Sequence, residues 1–65
     1  MIVFIDDRKI EVFEGAHLQD AVLTYSKSAY QLLLKGEICL KDERGNGMDP
    51  DGRLWEGIKL YIIKK

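Results

Sequence analysis

The sequence predicts an α+β fold in which a mixed sheet of four to five strands wraps on one main helix. Apolar and polar residues alternate near both ends of the chain, which is typical of strands with one buried face. Between these segments, Leu18, Ala21, Val22 and Tyr25 have the i, i+3, i+4, i+7 spacing of a helix face. A chain of 65 residues is long enough for one hydrophobic core only, so residues 1–65 are expected to form a single domain.

The first fourteen residues are expected to form a β-hairpin, because two apolar runs flank the polar segment Asp6-Asp7-Arg8. Four apolar side chains of this hairpin are assigned to the core: Ile2, Phe4, Ile10 and Val12. Glu14-Gly15 ends the second strand. The helix is expected to begin near residue 16, which places Asp20 close to its positively polarised N-terminus.

Residues 29–35 fit two structures. Ser28 and Gln31 have the spacing of a capping box, and Gly36 suits a left-handed helix end, which together favour a second helix or a continuation of the first. The alternative is a strand over Tyr30–Leu34 that turns at the following glycine into the next strand. The helix is preferred.

The remainder of the chain is expected to add a strand, a loop and a last strand. Ile38 and Leu40 are assigned to the buried face of the first of these strands. Residues 42–57 contain four of the six glycines, the only proline and a net charge of −3, so they are expected to form turns and loops. The run over residues 58–63 is rich in β-branched and aromatic residues and is expected to be a strand. Its inward-facing side chains are taken to be Leu60 and Ile62.

Charge and cysteine content exclude several classes of function. The net charge of −1 removes the positive field of a non-specific nucleic-acid binder, and no row of aromatic residues alternates with a basic stripe in the sequence. A lone Cys39 excludes an internal disulfide and a four-thiolate cluster. Since the sequence shows neither a secretion signal nor an apolar stretch of membrane-spanning length, a cytoplasmic protein without nucleic-acid or membrane partners is expected.

No catalytic, cofactor-binding or metal-binding residue is predicted. Cys39 is interpreted as a packed or edge residue of a strand, because a nucleophilic thiol needs an activating neighbour. His17 is interpreted as a surface residue or a residue of the helix start. Asp49, Asp51 and Gly52 match three positions of a calcium-binding loop, but the remaining positions do not match, so a solvated turn is expected. The protein is therefore not expected to be an enzyme.

The order of elements is typical of the β-grasp, or ubiquitin-like, arrangement, with the first and last strands as parallel neighbours at the sheet centre. The opening Ile2–Gly15 pattern, followed by a helix with Leu18 and Val22, resembles the ThiS and MoaD group of sulfur carriers. The segment Leu54–Ile62 is similar to the end of that family, and Lys35-Gly36-Glu37 is similar to an Asn-Gly-Glu turn of ThiS.

The resemblance implies a protein partner. In the family, an E1-like adenylating enzyme converts a C-terminal Gly-Gly tail to a thiocarboxylate, whereas this chain ends Ile63-Lys64-Lys65. The expected function is therefore a non-catalytic ubiquitin-like interaction module that is fused to, or acts with, an adenylating or other metabolic enzyme. The alternative is a sulfur carrier in thiamin or molybdopterin synthesis whose tail lies outside these residues.

Four apolar residues are the candidates for the partner interface: Phe13, Trp55, Tyr61 and Ile63. Tyr61 and Ile63 alternate with the inward-facing residues of the last strand and should therefore face solvent. Trp55 has a second interpretation, in which its side chain closes one end of the core. The expected state is a monomer or a weak homodimer.

Overall fold

The computed structural model describes residues 1–65, which form one five-stranded mixed sheet and two helices. In chain order the elements are β1 (Ile2–Ile5), β2 (Arg8–Glu11), α1 (Leu18–Tyr25), α2 (Lys27–Leu34), β3 (Ile38–Asp42), β4 (Gly47–Met48) and β5 (Lys59–Lys64). The strand order across the sheet is β2-β1-β5-β3-β4, with β1 and β5 parallel and all other neighbours antiparallel. The predicted α+β class and mixed sheet are confirmed, and the main helix α1 is followed by a second helix of the same length, eight residues, which is one form of the preferred interpretation of residues 29–35.

A two-residue turn joins β1 to β2. Its residues, Asp6 and Asp7, have φ values of 49° and 67°, the positive values that the tightest hairpin turns require. Asp6 also ties this turn to the neighbouring strand. Its N–H donates to the carbonyl of Leu60 over 2.9 Å, and its carboxylate accepts the N–H of Ile62 over 3.1 Å. The polar turn therefore continues the β1–β5 ladder beyond the end of β1.

The register of β1 corrects the predicted core. A two-residue turn pairs Ile5 with Arg8, so Val3 and Ile5 point into the core and both are fully buried. Ile2 and Phe4 point to the other face and are only half-buried. The assignment of Ile2 and Phe4 to the core is wrong because a turn of three residues, with Arg8 as the third, shifts the pairing by one residue and turns the side chains of β1 to the opposite face.

Helix α1 begins at Leu18, two residues later than predicted, with His17 as its N-cap. The Asp20 carboxylate accepts the N–H of His17 over 2.9 Å, which confirms that this acid lies at the positive end of the helix. The carbonyls of Pro50 and Gly52 accept the N–H groups of the first two helical residues, each over 2.9 Å. The loop before β5 therefore caps α1.

Residues 29–34 belong to α2 and Lys35 is the C-cap of that helix, so the strand alternative is excluded. The hydroxyl of Ser26 accepts the N–H of Ala29 over 3.2 Å and caps the helix, which begins one position before the predicted capping residue Ser28. Gly36 has a φ of 78° and ends α2 in the left-handed conformation, as predicted. Its N–H and that of the next residue return to carbonyls in the last turn of the helix.

The segment from 42 to 57 is not entirely loop, because it contains the short strand β4, which pairs with the middle of β3. Leu54 is half-buried and packs against the core, as predicted. Trp55 is 56% exposed, so the hypothesis that it closes one end of the core is wrong.

The core lies between the helices and one face of the sheet. Its fourteen buried residues are all apolar: Val3, Ile5, Ile10, Val12, Ala16, Leu18, Ala21, Val22, Ala29, Leu33, Ile38, Leu40, Ile58 and Leu60. Ile62 is half-buried and packs against this cluster. The predicted inward faces of β2, α1, β3 and β5 are therefore confirmed, and the second face of the sheet carries no helix.

Candidate interaction surface

The face of the sheet opposite the helices, here called the open face, is defined by the strand registers. Its residues are those that alternate with the buried ones on β1, β2, β3 and β5: Ile2, Phe4, Lys9, Glu11, Cys39, Lys41, Lys59, Tyr61 and Ile63. The apolar members lie on the three central strands, and Lys9 and Glu11 lie on the edge strand β2.

Two aromatic residues on the open face lie beside lysines. Phe4 is paired with Lys9 on one side and with Lys59 on the other, and Tyr61 is paired with Lys41. Directly opposed side chains on one face of a sheet are about 5 Å apart, and lysine stems pack along apolar surfaces while the ammonium group stays in water. Phe4 and Tyr61 are accordingly half-buried although no other element covers them.

Aliphatic residues extend this row at both ends. Ile63 is paired with Cys39 and is 39% exposed, and Ile2 lies at the start of β1. Phe4, Tyr61, Ile63, Ile2 and Cys39 thus form an apolar strip along the centre of the open face, with ammonium groups beside it. The strip lies on the surface of the sheet and does not line a cavity.

The open face has a different charge from the rest of the molecule. Three lysines against one glutamate give it a net charge of +2, whereas the whole chain carries −1. The sequence-based statement that no aromatic row lies among basic residues is therefore wrong for this face. Lys9, Lys41 and Lys59 are far apart in sequence, and only the strand pairing brings them around Phe4 and Tyr61.

The structure divides the four predicted interface residues into separate places. Tyr61 and Ile63 lie on the open face, as the alternation predicts. Phe13 is 65% exposed and lies in the loop after β2, beyond the start of β1. It is about six residues from Tyr61 along the strand direction, which corresponds to about 20 Å. Phe13 therefore lies outside the paired strands whose registers define the open face.

Trp55 lies at the end of the sheet where β3 ends and β5 begins. Together with Asp42, Arg44, Asn46 and Lys59 it lines an open cleft of about 300 Å³. Lys59 connects this cleft to the open face. Trp55 is thus at the edge of the open face, and Ile2 and Phe4 are the residues of that face which the sequence analysis did not identify.

Asp42 organises the turn between β3 and β4. Its carboxylate accepts the N–H groups of Arg44 and Asn46, each over 2.9 Å, and the side-chain amide of Asn46 over 3.4 Å. The hydrogen bond from the Asn46 backbone contributes most to holding the pKa of Asp42 below its ordinary value. This carboxylate therefore has a structural role in the turn.

The side chains with catalytic chemistry lie apart. His17 caps α1, where its Nδ1 is 3.7 Å from a carboxylate oxygen of Asp20, and it lines a cleft with Arg53. Cys39 lies on β3, where it is paired with Ile63 on the open face. No group of three or more histidine, cysteine, aspartate or glutamate side chains is arranged to hold a metal ion. Neither helix is long and apolar enough to cross a membrane.

Comparisons with protein-family models, with curated proteins and with solved structures each found no match to this chain.

Proposed function

We propose that this chain is a β-grasp module that binds an acidic protein surface through the open face of its sheet and carries no catalytic residues. The strand order β2-β1-β5-β3-β4, the parallel pair β1–β5 and the position of both helices between β2 and β3 support the β-grasp assignment. Since this fold supports many functions, the function has to be argued from the surface.

The observation that carries the proposal is the apolar strip on a face that no element covers. Phe4, Tyr61 and Ile63 contribute nothing to the packed core, and a continuous apolar surface in water favours association. Aromatic side chains also lose little conformational entropy when they become buried, and they are enriched among the residues that dominate binding energies. An apolar centre with charged groups around it matches the anatomy of a protein interface.

The charge of the open face indicates the chemistry of the partner. Lys9, Lys41 and Lys59 flank the strip, so a surface with carboxylates around an apolar centre is complementary to it. The resemblance to the ThiS and MoaD group supports an E1-like adenylating enzyme, or a metabolic-enzyme domain fused to this chain, as the partner class to examine first.

The proposal is tested by isolating the partner and measuring its affinity. Proteins retained on the immobilised chain are identified by mass spectrometry, purified and titrated against the wild type and against Tyr61→Ala by calorimetry. Since Tyr61 would be buried at the centre of the interface, Tyr61→Ala is expected to lower the affinity about tenfold, corresponding to about 1.4 kcal/mol. Lys41→Glu is expected to weaken binding further at low salt.

A matched control uses an exposed apolar residue on the other side of the molecule. Leu23 is 45% exposed on α1, so Leu23→Ala should leave the affinity unchanged. An equal loss for Leu23→Ala and Tyr61→Ala would refute the open face as the binding site. Binding of single-stranded oligouridylate to the open face, with no protein partner, would assign the surface to nucleic acid and refute the proposal as well.

A further inference from the structure

The outer edge of β2 has unpaired backbone groups at two positions. The N–H and carbonyl of Val12 pair with Met1, each over 2.9 Å, so Met1–Val12 is a hydrogen-bonded pair of the antiparallel ladder. Hydrogen-bonded and non-hydrogen-bonded pairs alternate along such a ladder. Arg8, Ile10 and Val12 therefore bond to β1, while the backbone groups of Lys9 and Glu11 point away from the sheet. These two residues also form no intramolecular salt bridge.

We propose that two copies of this chain associate through antiparallel pairing of their β2 edges, with Lys9 of each copy opposite Glu11 of the other. In this register the residues with outward-pointing backbone groups face each other, so both Lys9–Glu11 pairs exchange N–H···O bonds. The two side chains of each pair lie on the same face of the combined sheet, with opposite charges. The two sheets then become one ten-stranded sheet, counting five from each copy.

The charges select this register against its neighbours. A shift of one strand by two residues, the smallest shift that keeps the outward-pointing backbone groups opposite each other, places Lys9 opposite Lys9 of the other copy, or Glu11 opposite Glu11, and like charges directly opposed are unfavourable. A lysine on an edge strand commonly prevents pairing with another strand. Here Glu11 of the other copy lies opposite Lys9 and neutralises its charge. On the helix side, the same register brings Ile10 opposite Ile10 of the other copy.

The opposite edge of the sheet does not offer such a site. Strand β4 has only two residues, Gly47 and Met48, and Pro50 follows closely. A short strand followed by proline cannot present a row of backbone donors. Association through edges therefore stops at two copies rather than continuing into a fibre, which is the closure expected of a two-fold symmetric interface.

Charge reversal gives a sharp test. A contact of three residues per copy is small, so dimerisation in the millimolar range is expected. It is measured by sedimentation velocity and NMR translational diffusion over a concentration series. Lys9→Glu alone and Glu11→Lys alone each place like charges opposite one another, and each is expected to weaken dimerisation about tenfold. An equimolar mixture of these two variants, or the double exchange in one chain, should restore it.

Two further variants separate edge pairing from general effects. Lys27→Glu changes the net charge by the same amount as Lys9→Glu, but Lys27 is an exposed residue of α2, away from the β2 edge. It should therefore leave dimerisation unchanged. Lys9→Pro removes an outward N–H that β1 does not use, so it should abolish dimerisation in a folded chain. A chain that stays monomeric throughout the series, or dimerisation that Lys9→Glu does not weaken, would overturn the proposal. Failure of the mixed variants to associate would do so too.

Discussion

The two faces of the sheet are built from the same strands and differ in what their side chains do. Leu60 and Tyr61 are neighbours in the chain, yet Leu60 is fully buried against the helices and Tyr61 lies half-exposed among lysines. On the covered face every buried side chain is apolar, whereas the open face mixes aromatic, aliphatic and charged residues. The covered face therefore provides the stability of the fold. The open face can carry side chains that bind a partner at little cost to the free energy of unfolding.

The largest difference between the faces is expected for neighbouring residues of β5. Leu60→Ala removes a fully buried side chain and should lower the free energy of unfolding by about 2–5 kcal/mol through lost transfer energy and a cavity. Tyr61→Ala should lower it by about 1 kcal/mol or less, because its ring is only partly removed from water. Urea denaturation of both variants measures the two losses. Losses of similar size would contradict the assignment of the faces.

A comparison within β1 tests the corrected register. Val3→Ala should cost about 2 kcal/mol, since Val3 is fully buried. Ile2→Ala deletes a larger side chain but should cost less than about 1 kcal/mol, because Ile2 lies on the open face. Differential scanning calorimetry of the two variants provides the measurement. A larger loss of unfolding free energy for Ile2→Ala than for Val3→Ala would support the register in which Ile2 and Phe4 enter the core.

The smallest expected effect concerns acid, and it arises outside both faces. The core contains no ionisable group, so the response to low pH has to come from residues at the rim such as Asp42. Hydrogen bonds from the backbone of Asn46 and Arg44 hold the folded-state pKa of Asp42 below its ordinary value. Its stabilising contribution is therefore present above the unfolded-state pKa of about 3.9 and is lost as the pH falls through the lower folded-state value.

Thermal unfolding of the wild type and of Asp42→Asn between pH 2 and pH 7 checks this expectation, with Asp49→Asn as a control on an exposed acid. The melting temperatures of the wild type and Asp42→Asn should converge at the acidic end. A constant difference across the range would mean that the Asp42 carboxylate does not stabilise the turn through its charge.

The sequence predicts the buried face correctly for those strands whose apolar pattern is compatible with only one choice of face. In β5 the outward residues Lys59 and Tyr61 alternate with the inward residues Leu60 and Ile62, so the pattern predicts the outward position of Tyr61 and the structure confirms it. In β1 four consecutive apolar residues fit both faces equally well, so the face depended on the length of the turn. The polar character of Arg8 predicts a place in that turn, but its side chain extends towards α1, where the guanidinium lies 5.9 Å from the centre of the Tyr25 ring. A two-residue Asp-Asp turn was the signal that would have corrected the register.

The candidate surface was predictable only in part, because it depends on pairing between distant segments. Tyr61 and Ile63 follow from local alternation, but their neighbours Phe4 and Lys41 come from other strands. Strand β4 escaped prediction because a Gly-Met pair has no strand pattern of its own and is extended only through its pairing with β3. The helix end at Gly36 was predictable, since a left-handed conformation next to a helix is a local property of glycine.

The central position of β5 has a consequence for how the chain acquires its structure. Strand β5 is the last element along the chain, yet it lies between β1 and β3 and is the only strand that joins the two hairpins. During synthesis the opening hairpin and the helices leave the ribosome before their partner in the sheet exists. The β1–β5 pairing closes a long loop between Phe4 and Lys59, and the entropic cost of closing this loop has to be met before the pairing stabilises the chain. Folding should therefore be slower than for a helical protein of this length. Until residues 59–64 emerge, Val3 and Ile5 remain without their neighbour Leu60, and this edge of β1 is open to pairing with other segments.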